Sequence, residues 1–133
     1  MGTFNIFTGK LGMKENVVRE KSLAFAIRIV DLYKMLCGNK KEFVMSKQLL
    51  KAGTSIGANV AEAECAISKK EFLAKNYIAL KECAETKYWL ELLQKTGFVA
   101  LDEYNSVFND CDELFRLLTA ITKTTRERLR NVE

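Results

Sequence analysis

The sequence predicts an all-α protein, an antiparallel up-down-up-down four-helix bundle. Three observations predict it. The 133 residues contain no proline, where an average chain of that length carries roughly seven, so nothing interrupts long helices. Apolar residues, 48% of the chain, recur at steps of three and four rather than two, which gathers them on one side of a helix. Helix stop and start signals cut this pattern into four runs of roughly 20 to 30 residues, and short joints make sequential helices antiparallel neighbours. One domain of this size buries enough apolar surface to fold without metal, disulfide or lipid. The apolar share also excludes disorder.

Residues 1–15 hold three of the seven glycines and show no period, so they read as an N-terminal tail or arm, with Phe4, Ile6 and Phe7 available to dock. The bundle itself is expected over 16–131. Its first helix, 16–37, carries Phe25, Ile29, Leu32 and Leu36 on one stripe and is expected to stop at Gly38-Asn39, residues that accept the left-handed conformation closing a C-terminus. The second helix, 43–66, carries Met45, Leu49, Ala52, Ile56, Val60 and Ala63 at the same steps. Ser68 with Glu71 three residues on forms a capping box that starts the third helix, 69–95, which ends at Thr96-Gly97. Asp102 is the expected N-cap of the fourth, 102–131, with Val107, Cys111, Leu114, Leu118, Ile121 and Leu129 on one stripe.

The absence of histidine removes much chemistry. A chain with no His has no Ser-His-Asp or Cys-His pair, no HExxH zinc site and no Glu-x-x-His di-iron motif. No tight cluster of Lys, Tyr, Cys or carboxylates replaces them, so the sequence reads as a non-enzyme with no cofactor. The four cysteines, Cys37, Cys65, Cys83 and Cys111, lie 28, 18 and 28 residues apart inside helical runs, which suits reduced core thiols better than zinc or disulfides. No apolar run reaches the roughly 18 residues of a membrane span, and no signal-peptide core precedes the helices. The cytoplasm is the expected address. The net charge of +4 suits an acidic partner, and is also ordinary for solubility.

Three helices depart from a plain bundle. On the third, Leu73, Leu80 and Ala84 define one face, and Ile78, Trp89 and Leu92 lie nearly opposite. A helix apolar on two sides is buried twice, so the second side is expected at a subunit interface of a homo-oligomer. The second helix carries Gly53 and Gly57 in its interior, each costing about 1 kcal/mol relative to Ala; with Ala61 they make a ridge of small residues that lets a neighbouring backbone approach. Beside it Ser55, Asn59 and Glu62 share a face, and Glu85 of the third helix is a candidate fourth member of a polar network. That network reads either as a binding site or as a device fixing helix register, and the second is favoured. The fourth helix carries acids in its first half and bases in its second, where Lys123, Arg126 and Arg130 share a face. The helix macrodipole accounts for much of that order. The density of the three also suits contacts to successive phosphates of a nucleic acid.

The segments TSIGANVAEA (from Thr54), SKKEF (from Ser68) and AETKYWLELLQKTGF (from Ala84) together resemble the four-helix-bundle proteins of the large-subunit (23S) ribosomal RNA intervening-sequence family, over about residues 20–118. Ser55, Ile56, Asn59, Ala61 and Glu62 match its second-helix signature, and Glu71, Phe72 and Glu85 its third-helix positions. Ala63 stands where the family usually has Gly. The resemblance implies a closed ring of subunits, commonly a pentamer, encoded in bacteria. It is also similar to an accessory protein of diversity-generating retroelements that binds nucleic acid and a reverse transcriptase. Two functions follow: an oligomeric binder of RNA or DNA with repeated basic surfaces, or a protein-interaction scaffold with no nucleic-acid role.

Overall fold

The structure, a computed structural model, describes residues 4–5 and 10–132. Four helices make up nearly all of it: α1 (Met13–Gly38), α2 (Met45–Ala63), α3 (Lys69–Lys95) and α4 (Leu101–Val132). Each helix packs on the next and α1 meets α4, so the four enclose one core and form a four-helix bundle. In the arm, β1 (Phe4–Asn5) and β2 (Lys10–Leu11) pair antiparallel, with Phe4 opposite Leu11. No alternation in the sequence announces that pair. Ile6 and Phe7 lie outside the described residues.

The expected stripes of α1, α2 and α4 line the core except at Leu129, which is half-buried beyond it near the end of α4. Ile29, Leu36, Leu49, Ile56, Val107 and Leu118 are fully buried. The boundaries move where backbone partners decide them. α1 runs through Gly38 and closes on the Asn39 N–H, which donates to the Met35 carbonyl at 2.8 Å. Asn39 itself is right-handed, and the left-handed residue of the joint is Lys41, at φ 55°. α2 starts at Met45 rather than 43 because Glu42 caps it: its carboxylate accepts the N–H groups of Val44 (3.1 Å), Met45 (2.9 Å) and Ser46 (2.7 Å). Burial alone would push the Glu42 carboxyl up, and the three backbone donors overcome it and hold it below the usual carboxylate range. α2 stops at Ala63, short of 66, leaving Ile67 exposed in the joint.

Ser68 caps α3 as expected, accepting the Glu71 N–H at 3.0 Å; the return bond from Glu71 reaches the Ile67 N–H at 3.3 Å instead of that of Ser68. α3 ends in a Schellman motif, with the Phe98 N–H on the Leu93 carbonyl (2.9 Å) and the Gly97 N–H on that of Gln94 (3.1 Å). Gly97 has φ 86°, which a side chain would strain. α4 begins at Leu101, so Asp102 sits inside the first turn, accepting from the Glu103 N–H at 2.9 Å, and is not the N-cap.

α3 departs furthest from expectation. Its core positions are Asn76, Ala79, Cys83, Thr86, Leu90 and Leu93, a run of alternating three- and four-residue steps like that of a coiled-coil seam. Ala84 is exposed, and Leu73 and Leu80 are half-buried on a flank. Asn76 and Thr86 hid the seam, because polar residues at two of six places break an apolar stripe. Both satisfy themselves within the helix, Asn76 on the Phe72 carbonyl (3.0 Å) and Thr86 on that of Glu82 (2.7 Å), which permits their burial.

Candidate nucleic-acid interface

The two halves of α4 do different work. Acids of its first half are engaged by other elements: Asp110 accepts from Arg28 at 2.8 Å, Glu113 lies 3.1 Å from Lys21, and Asp112 accepts from Lys87 at 2.7 Å and pairs with Arg116 at 2.7 Å. The Lys87 hydrogen bond holds the Asp112 carboxyl below its usual range, against the pull of burial and with the help of Arg116. Lys87 also stands 4.2 Å from the Phe115 ring centre and 5.3 Å from that of Phe108, a cation held by two aromatic faces and a carboxylate.

Lys123, Arg126 and Arg130 are exposed, and among the described residues none has a carboxylate in ion-pair range. The macrodipole acts over the last turn of a helix, and of the three only Arg130 lies in that turn. It therefore leaves Lys123 and Arg126 unexplained. Steps of three and four residues put all three on one face, over about 10 Å of helix. Arg126 also lines a shallow groove with Lys70, Leu73, Ala74, Tyr77 and Ile78, so the end of α4 and the start of α3 share a surface.

The four residues of the expected polar network are not brought together. Asn59 donates to the Ser55 carbonyl at 2.8 Å, within α2. Glu62 accepts from Lys75 at 2.9 Å, a bond that raises the lysine's pKa. Glu85 accepts from the Trp89 indole at 3.1 Å. Lys75 lies ten residues before Glu85, about 15 Å along α3, which puts Glu62 and Glu85 at separate places. Sequence reasoning did not single out Lys75, one of three lysines in the first two turns of α3, and the one that crosses to Glu62 of α2. It also missed Glu82, a carboxyl pushed up by burial and by the neighbouring charge of Glu85.

The three residues expected at a subunit interface also divide. Ile78 is exposed, whereas Trp89 is half-buried against the core and Leu92 is half-buried. The Trp89 ring meets Tyr88 edge-on at 5.1 Å. Among the described residues, large apolar side chains that face outward along the middle of the helices include Tyr77, Ile78 and Tyr88 on α3 and Leu23 and Ile27 on α1.

A family model described as 23S rRNA-intervening sequence protein matches residues 14–120. The chain belongs to the 23S rRNA-intervening sequence protein family. It is similar to a crystal structure of a protein of unknown function from the S23 ribosomal protein family of Bacteroides thetaiotaomicron, at 57% identity and a TM-score of 0.83, over 84% of this chain and 99% of that one. No curated protein matches it.

In this intervening-sequence protein the small-residue ridge of α2 packs on α1. A side-chain carbon at Gly53 would stand 2.8 to 3.3 Å from three carbons of Ile29, and one at Gly57 would stand 3.3 Å from the Ser22 carbonyl oxygen. Outside that contact Leu23, Ala26, Gly57, Ala58 and Ala61 line an apolar groove between α1 and α2. Cys83 and Cys111 are buried: the Cys111 thiol donates to the Cys83 carbonyl at 3.5 Å, and its contact together with burial pushes the Cys83 thiol up. Cys65, expected in the core, is exposed because α2 ends before it at Ala63, and Cys37 is half-buried. Among the described residues no group of three His, Cys, Asp or Glu is placed to hold a metal, and no helix is long and apolar enough to cross a membrane.

Proposed function

We propose that this member of the family is a non-enzymatic, oligomeric nucleic-acid binder that holds the backbone of RNA or DNA on the basic end of α4. One observation carries the reading: Lys123 and Arg126 are exposed, lack carboxylate partners among the described residues, and lie outside the turn on which the macrodipole acts. The family's description as a 23S rRNA-intervening sequence protein supports an RNA setting. The ion pairs support the up-down-up-down antiparallel order of helices. Lys21 meets Glu113 while Arg28, further along α1, meets Asp110 and Glu103, so the two helices run in opposite senses. Exposed Leu23 and Ile27 on α1 support assembly of copies into a ring such as a pentamer, which would let weak basic surfaces act together.

The test combines mass and affinity. Light scattering of the full chain should give an oligomer, and a monomer at micromolar concentration removes the multivalent half of the reading. An anisotropy titration at two salt concentrations should show binding that weakens steeply with salt. Each phosphate contact adds about −0.9 to the slope of log affinity against log salt on duplex DNA, so the Lys123→Glu, Arg126→Glu, Arg130→Glu variant should flatten the slope by roughly 2 to 3. Equal slopes and affinities in both proteins would leave the scaffold reading, which the apolar α1–α2 groove favours.

A further inference from the structure

The groove between the start of α3 and the end of α4 is lined by the apolar side chains of Leu73, Ala74, Tyr77 and Ile78 and by a cation from each helix, Lys70 and Arg126. Tyr77 is 44% exposed, and among the described residues its ring and hydroxyl have no partner. A partly exposed aromatic ring, an apolar lining and an unpaired guanidinium in the same groove suit an occupant that is flat, apolar on its faces and anionic along one edge. We infer that this groove takes an unstacked base of single-stranded nucleic acid, laid on Tyr77 with its phosphate against Arg126. A duplex does not fit the same chemistry, because its base faces are already stacked on one another and its exterior offers an apolar floor nothing to cover. The outward face of α3 continues the pattern: Lys81 follows Tyr77 by one turn and Tyr88 by three, all exposed. Cations interleaved with aromatic rings are how sequence-tolerant single-strand binders are built.

The inference rests on the nucleic-acid reading and narrows it from phosphate contact to base stacking. The full chain is titrated with an oligouridine and with a duplex RNA of equal length, alongside Tyr77→Leu, which keeps the groove apolar, and Tyr77→Phe, which keeps the ring. Wild type and Tyr77→Phe should prefer the single strand, and Tyr77→Leu should lose about tenfold for the single strand with no change for the duplex. Equal loss for both strand forms, or none for either, overturns the stacking role while the effect of the triple α4 variant leaves the parent reading standing. No binding of either RNA by wild type at low salt overturns both. If Tyr77→Leu lowers the oligomeric mass, the groove belongs to a second copy of the chain and the inference is overturned.

Discussion

Gly53 and Gly57 sit one turn apart in α2, and the atoms facing them decide opposite outcomes. An alanine at 53 would press on three carbons of Ile29, a fully buried side chain with nowhere to retreat. Overpacking of that kind costs about 1 to 3 kcal/mol, against roughly 1 kcal/mol recovered from helix propensity. Gly53→Ala should therefore lower the melting temperature. At Gly57 the nearest atom is the Ser22 carbonyl oxygen at 3.3 Å, a contact relieved by a shift of a few tenths of an ångström, so Gly57→Ala should hold or raise it. A thermal melt that reverses the order of the two variants overturns this account. The sequence marked both glycines as close-approach positions, and geometry alone separates them. The polar residues were less legible. Glu62 was read with Glu85, but a charge takes the nearest opposite charge across the seam, and Lys75 is nearer; single-residue pairings depend on helix phase and offset, which a one-dimensional pattern does not carry.

Helices were legible as elements and less so as faces. α3 was placed at its observed bounds, because Ser68 and Gly97 are positions where backbone groups need a particular residue. α2 was misjudged at its start, since its cap is a glutamate lying outside the helix and reaching three backbone donors, a geometry with no short spacing rule. Glu42→Ala should destabilise the bundle by about 1 to 2 kcal/mol, and Glu42→Gln, which keeps one acceptor, by less. The pH dependence has a definite sign. The folded carboxyl is held below its ordinary pKa, so its contribution is fully present above that ordinary value and is lost as acid carries the pH down through the lowered folded value. Denaturant melts at falling pH should show wild type losing stability toward the Glu42→Ala curve; curves that stay parallel remove Glu42 as the cause. The faces of α3 were misjudged for a different reason. Both its flanks carry large apolar residues, and a wheel with two apolar flanks points the eye to either side of the true seam.

At the scale of the whole molecule the seams are unequal. α1–α2 is closed by the glycine ridge, and α3–α4 by buried apolar contacts and the Lys87 clamp between Asp112 and two phenylalanine rings. α1–α4 is fastened on its rim by Arg28 with Asp110 and by Lys21 with Glu113, pairs open to water whose individual worth is roughly 0 to 1 kcal/mol. Three of the seams join helices adjacent in sequence, and only α1–α4 closes over the length of the chain. Contacts between sequence neighbours form at low entropic cost, and the long closure has to wait for them. The bundle is thus expected to assemble as a strip of three local pairings that rolls shut on a charged latch. Stopped-flow traces from Trp89, the one tryptophan of a chain without proline, should show no slow phase from prolyl peptide-bond isomerisation, and any slow phase should depend on protein concentration. Arg28→Ala should speed unfolding and leave refolding nearly unchanged, the signature of a contact made after the rate-limiting step; a variant slowed in refolding would put the latch first. Added salt should imitate the substitution, because the latch works through solvent. The rate at which this protein comes apart should then rise up to a few-fold with the ionic strength around it, and the rate at which it forms should stay nearly constant.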